Sequence, residues 1–132
     1  MKLSDYGRLK LPVRVIFYGD DDGSIPVIEW LDGVAPKVQD KVRVRIERLK
    51  LLGHELRRPE ADYLIDGIYE LRISCTGIQY RILYFFHGRT AVILTNGLVK
   101  KKTVPGIEIQ RAIDRKRKFE LDAEKHTAGD PR

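Results

Sequence analysis

At 132 residues, 42% hydrophobic and 33% charged, the chain is long enough for one domain with a buried core and too apolar to be disordered. Lys and Arg number 25 against 19 Asp and Glu, a net charge of +6, which predisposes a small domain to bind polyanions, nucleic acid foremost. The lone Cys75 excludes an internal disulfide and a multi-cysteine zinc site. No apolar run approaches the roughly 20 residues of a membrane span, and the opening MKLSDYGRLK lacks a signal-peptide core. A reducing cytoplasm, with no membrane contact, is the expected setting.

Residues 1–12 are polar and aperiodic, and are expected to form a flexible arm. Residues 13–18, VRVIFY, carry the β-branched and aromatic residues of a first strand. An acidic turn follows with Asp20, Asp21 and Asp22. It reads as a solvated loop, because no partner ligands are spaced around it for a metal. Ser24 is placed to cap a short helix through Asp32, stopped by Gly33. Pro36 opens a longer helix to Leu52, closed by Gly53. Val38, Val42, Ile46, Leu49 and Leu52 make its apolar stripe, so Lys41, Arg43, Arg45, Arg48 and Lys50 face solvent or a partner. His54, at the helix end, suits a capping role.

From Asp62 the pattern becomes that of strands. A short strand over 63–65 meets the hairpin turn Asp66-Gly67, and strands over 68–75 and 79–86 are separated by Thr76-Gly77. After His87-Gly88 a last strand covers 90–96 and stops at Gly97. Turns this short require antiparallel neighbours. A final helix spans 105–121, with Ile109, Ala112, Ile113 and Phe119 as its docking residues, and residues 122–132 are expected to fray. The domain proper is therefore 13–121. Its class is α+β: an antiparallel meander with an N-terminal helix pair and a C-terminal helix on one face, leaving the other face free for a ligand.

Chemistry concentrates in the meander. Alternation puts Tyr69, Leu71 and Ile73 on one face and Glu70, Arg72 and Ser74 on the other. Arg81 is the lone charge of a strand otherwise apolar on both faces, which is costly unless it is paired or aimed at a groove; the plainer alternative is a salt bridge of Glu70 with Arg72 or Arg81 that only holds the sheet together. Lys100, Lys101 and Lys102 follow the last strand, where cations can position phosphates and stabilise charge developing on a phosphorane. Cys75, Trp30 and Phe17 read as core. Tyr80 and Tyr84 read as candidates to stack on a base, and His87 and His126 fall in a turn and the tail.

Four pieces in order carry a likeness: Gly67-Ile68-Tyr69-Glu70-Leu71-Arg72; Gly77 with Tyr80-Arg81-Ile82-Leu83-Tyr84-Phe85; Asn96-Gly97-Leu98-Val99-Lys100-Lys101-Lys102; and Val104-Pro105-Gly106-Ile107-Glu108-Ile109 with Ala112. In them the sequence resembles the phage-derived, HigB-like branch of the RelE/HigB toxin superfamily. The resemblance implies a RelE-like fold and the toxin of a type II toxin–antitoxin system. It also implies an endoribonuclease (mRNA interferase) that cuts mRNA on the ribosome and is neutralised by a cognate antitoxin, a small helix-turn-helix protein. Cleavage would use attack of a ribose 2′-hydroxyl on the adjacent phosphate, without cofactor or metal. Arg72 and Arg81 match the family's sheet arginines, and Lys100 and Lys101 match its lysine pair.

Two positions depart from the pattern. Asn96 stands where relatives often have His, and Glu70 where some RelE proteins have a catalytic lysine. The acid and base then fall to Glu70, Tyr84 or Lys101. Two other classes compete: a non-catalytic RNA-binding module on the same fold, and a DNA-binding regulator using a basic helix.

Overall fold

The computed structural model describes residues 11–128. Strand β1 (Arg14–Phe17) leads to helices α1 (Pro26–Asp32) and α2 (Pro36–Leu52) and a 3-10 turn, Gly53–Glu55. Strands β2 (Ala61–Ile65), β3 (Ile68–Cys75), β4 (Ile78–His87) and β5 (Ala91–Lys100) come next, then helices α3 (Gly106–Leu121) and α4 (Ala123–His126). One five-stranded sheet has the order β1-β5-β4-β3-β2. The last four strands form the expected antiparallel meander, while β1 pairs in parallel with β5.

Backbone chemistry fixes the register of the meander. Asp66 and Gly67 have φ of 52° and 82°, and Thr76 and Gly77 have 49° and 81°. Two consecutive left-handed residues are the type I′ geometry whose twist matches a two-residue hairpin. The second turn pairs Cys75 with Ile78, and therefore Ser74 with Gln79 and Arg72 with Arg81.

The expectation of one free sheet face is corrected: both faces are covered. On one, α1 and α2 pack Val27, Val38, Val42 and Leu49 over Val15, Leu71, Ile73, Ile82, Tyr84, Val92 and Leu94. On the other, α3 brings Ala112 and Phe119 onto Ile16, Tyr18, Ile68, Leu83, Phe85 and Ile93. That second face is apolar over half its length, and leaving it wet would forgo about 2–3 kcal/mol for Phe119 alone. Only its other half is polar.

Three boundaries also differ. Helix α1 starts at Pro26 behind Ile25, with no side-chain cap from Ser24. Strand β5 runs through Gly97 to Lys100, because Gly97 is there to admit Trp30: a Cβ at this position would stand 2.2 Å from the indole Cδ2. The tail expected to fray from 122 instead forms α4. Its His126 is buried, stacks on Tyr18 with ring centroids 5.2 Å apart and places Nδ1 2.8 Å from Gly19 O. Thr127 bridges to Tyr18 and Ala128 N donates to Phe17 O, extending the sheet past β1. Residues 1–10 of the expected arm and 129–132 of the expected tail lie outside the described residues.

Candidate nucleic-acid interface

The polar half of the α3-side face is built by strand register. Cross-strand neighbours share a face, so one row reads Arg72, Arg81, Leu98 and the next reads Ser74, Gln79, Lys100. A third row, Glu70, Leu83, Asn96, borders the apolar half. Arg72, Arg81, Glu70 and Lys100 are thus brought together, and Lys101 follows directly in the exposed bend after β5.

Their environments differ sharply. The Arg81 side chain is 1% exposed, and its Nε donates to Glu70 Oε1 at 3.1 Å while Nη1 donates to Tyr80 O at 2.9 Å. Of the two expected roles for Arg81, the pairing with Glu70 is the one realised. Burial, and secondarily the like charge of Arg72, press the Arg81 guanidinium below its ordinary value, while Glu70 works in the opposite direction. Arg72 is half-buried and has no side-chain hydrogen bond or ion pair among the described residues. Directly opposed like charges are unfavourable in a sheet, and the single buried carboxylate answers only one of the two arginines. The face therefore carries a surplus cation at Arg72.

Asn96 is held by the start of α3. Its Nδ2 donates to Glu108 O and to Glu108 Oε1, both at 3.2 Å, and its Oδ1 is buried without a partner. Glu108 Oε1 also accepts from Arg111 at 3.1 Å. Sequence reading placed Ser74 on this face but missed the roles of Glu108 and Gln79. The two-residue turn at Thr76-Gly77 was the signal that could have placed Gln79 in this register.

Tyr84 is corrected. Alternation along β4 sends it to the opposite face, where it is 1% exposed among the residues under α2, and burial raises its hydroxyl pKa well above the ordinary value. Tyr80 is buried on that same face, so neither ring is open to a base. His54 stacks on Phe86, with ring centroids 3.6 Å apart. The acidic turn lies at the far end of α3, where Asp21 accepts from Lys118 at 3.0 Å and meets Lys125 at 3.2 Å. No group of three or more His, Cys, Asp or Glu among the described residues is arranged to hold a metal. No helix among them is long and apolar enough to cross a membrane.

A small α+β domain, with a basic strand face beside the first turn of its C-terminal helix, is the class these features define. Within it, the chain belongs to the family described as phage-derived protein Gp49-like (DUF891), whose model matches residues 29–117, from within α1 to within α3. This is a RelE/HigB-like toxin family, and a toxin of this kind implies a cognate antitoxin as partner. A search of curated proteins finds no match.

Proposed function

We propose that this protein is the toxin of a type II toxin–antitoxin system, of the HigB-like branch, and that it cleaves mRNA on the ribosome. The observation that carries the reading is the surplus charge at Arg72: a half-buried guanidinium, opposite a second arginine, with no hydrogen bond or ion pair among the described residues, while Asp62, whose charge it feels, is bonded by Arg58. A phosphate diester supplies that anion with the matching bidentate geometry. Lys100, one row away on the same face, and Lys101 beyond it stabilise the phosphorane as charge develops on its oxygens. The substrate's own 2′-hydroxyl is the nucleophile, so the reaction as proposed has no step that requires a metal. The 2′-hydroxyl gives its proton to solvent water as it attacks the phosphorus, and Lys101 protonates the leaving 5′-oxygen, so the products are a 2′,3′-cyclic phosphate and a free 5′-hydroxyl. Arg81 is a positioning residue, because it is buried and reaches the substrate only through the strand it fixes beneath Arg72.

One observation favours the second reading, a non-catalytic RNA-binding module. Glu70 is engaged by Arg81, Asn96 by Glu108, and Tyr84 lies on the wrong face, so none of these three is free to serve as base. Induction in cells separates the two. The nuclease reading expects growth arrest with shortened translated messages, and recovery of both with Arg72→Ala at unchanged melting temperature. Normal growth and intact messages, despite abundant folded protein that binds RNA, would establish the module instead.

A further inference from the structure

Strand β2 pairs with β3 only as far as Leu71, and among the described residues the edge of β3 beyond it takes a bond from Arg72 N to Glu60 O and one from Lys41 Nζ to Ser74 O. Two adjoining hollows follow this edge. One, of about 230 Å³, is lined by Arg45, Pro59, Arg72, Ile73, Ser74 and Gln79. The other, of about 350 Å³, shares Arg45, Ile73 and Ser74 and adds Asp40, Lys41 and Val44 of α2. Together they make a groove running from the Arg72 face around the sheet edge to α2.

The cations of α2 that border it recur on one helical stripe, Lys41, Arg45 and Arg48. Lys41 Nζ donates to Ser74 O at 3.0 Å, which leaves the Ser74 N–H on the same outward side of the strand with no partner among the described residues. Arg45 meets Glu60 Oε2 at 2.8 Å, and Arg48 holds the same carboxylate through two bonds of 2.9 and 3.0 Å. Asp40, which also lines the second hollow, is paired with Arg43 at 2.8 Å. Three cations (Lys41, Arg45 and Arg72) therefore line the groove against the carboxylate Asp40, itself paired with Arg43, and the Arg48–Glu60 pair flanks it beside Arg45. Its polar groups are donors suited to phosphate oxygens: two guanidinium forks, a backbone N–H and the Gln79 amide.

We propose that this edge groove binds the sugar-phosphate backbone of RNA continuous with the Arg72 face, with Glu60 acting as an internal counterion that phosphate displaces from Arg45 and Arg48. The inference rests on the RNA reading of that face. A bound strand would cross the sheet edge with one phosphate shared between Arg72 and Arg45 and the next near Lys41. Glu60 then tunes affinity. It keeps the guanidiniums ordered and neutralised in the free protein, and it weakens binding by the charge that must be moved aside.

Fluorescence anisotropy on the full chain tests this, with a labelled twelve-nucleotide single strand and an RNA hairpin as probes over a salt series. The wild type is expected to bind with a salt dependence reporting several phosphate contacts. Arg45→Gln should weaken binding roughly tenfold at low salt and reduce the salt slope by about 0.7 for the single strand, the value of one lost contact. Glu60→Gln should do the reverse, tightening binding and steepening the slope. Arg89→Gln, in the exposed β4–β5 turn at the other end of the sheet from Arg72, is the control and should change neither. An Arg45 effect on the single strand alone marks the groove as an extension of the substrate path, and an effect on the hairpin marks contact with structured RNA. If the wild type binds no RNA, the functional reading itself fails. If it binds but Arg45→Gln and Glu60→Gln leave affinity and slope unchanged, with melting temperatures confirming folded variants, the groove is overturned while the Arg72 face stands.

Discussion

Replacing Arg81 with alanine separates the two jobs of the paired arginines. The Glu70–Arg81 bridge is almost wholly buried, with side-chain exposures of 1% for Arg81 and 7% for Glu70. Removing one partner of such a pair strands the other charge in the sheet, at a cost of about 3–5 kcal/mol. For a domain of this size each kcal/mol lowers the melting temperature by roughly 3–4 °C, so Arg81→Ala should melt about 10–20 °C early. The paired change Glu70→Gln with Arg81→Met removes both charges and keeps the volume. It should recover most of that loss, since buried ion pairs yield little net stability over apolar replacements. Arg72→Ala, by contrast, should melt like the wild type, because its side chain has no described partner and its removal relieves repulsion across the strands. Calorimetry on the four proteins gives the comparison. An Arg81→Ala protein that melts within a degree or two of the wild type would refute the reasoning, because it would mean that the buried carboxylate is not balanced by this arginine.

Other consequences can be checked as simply. Gly97→Ala drives a methyl into the Trp30 ring, so it should destabilise by about 1–3 kcal/mol and shift the emission of Trp30, the sole tryptophan. The Glu60 carboxyl is held below its usual range, by Arg48 first and then Arg45. A carboxylate depressed on folding stabilises above its unfolded pKa of about 4.3 and loses that contribution as pH falls through the folded value. Acid titration monitored by circular dichroism should therefore show a shallower loss of stability below about pH 4 in Glu60→Gln than in the wild type. A 2′-deoxy nucleotide at the cleavage position of a ribosome-bound message should block cutting. Cutting at the deoxy position would exclude the 2′-hydroxyl nucleophile.

Local chemistry was legible in the sequence, and this is why the meander could be read there. Asp66-Gly67 and Thr76-Gly77 are short-range signals, and the strands they join follow with nearly the observed bounds. The α2 stripe and the docking residues Ala112 and Phe119 were equally plain, because helical period depends on the segment alone. Arg72, Arg81, Glu70 and Lys100 were named as a group from alternation and resemblance, and the register places them on one face. Tertiary structure decided what a segment cannot know about its neighbours. Parallel pairing of β1 with β5 joins residues 77 positions apart, and the apolar half of the second face drew α3 onto it. Gly97 looked like a strand end because nothing nearby in sequence says that Trp30 will lie against it. His126 looked like tail because its stacking partner, Tyr18, lies at the other end of the chain. The difference between Arg72 and Arg81 was decided in the same way. The two residues are alike in composition and face each other across two strands, yet the buried Glu70 binds Arg81 and Asp62 is bonded by Arg58, which leaves Arg72 without an ion pair and its charge open to a ligand.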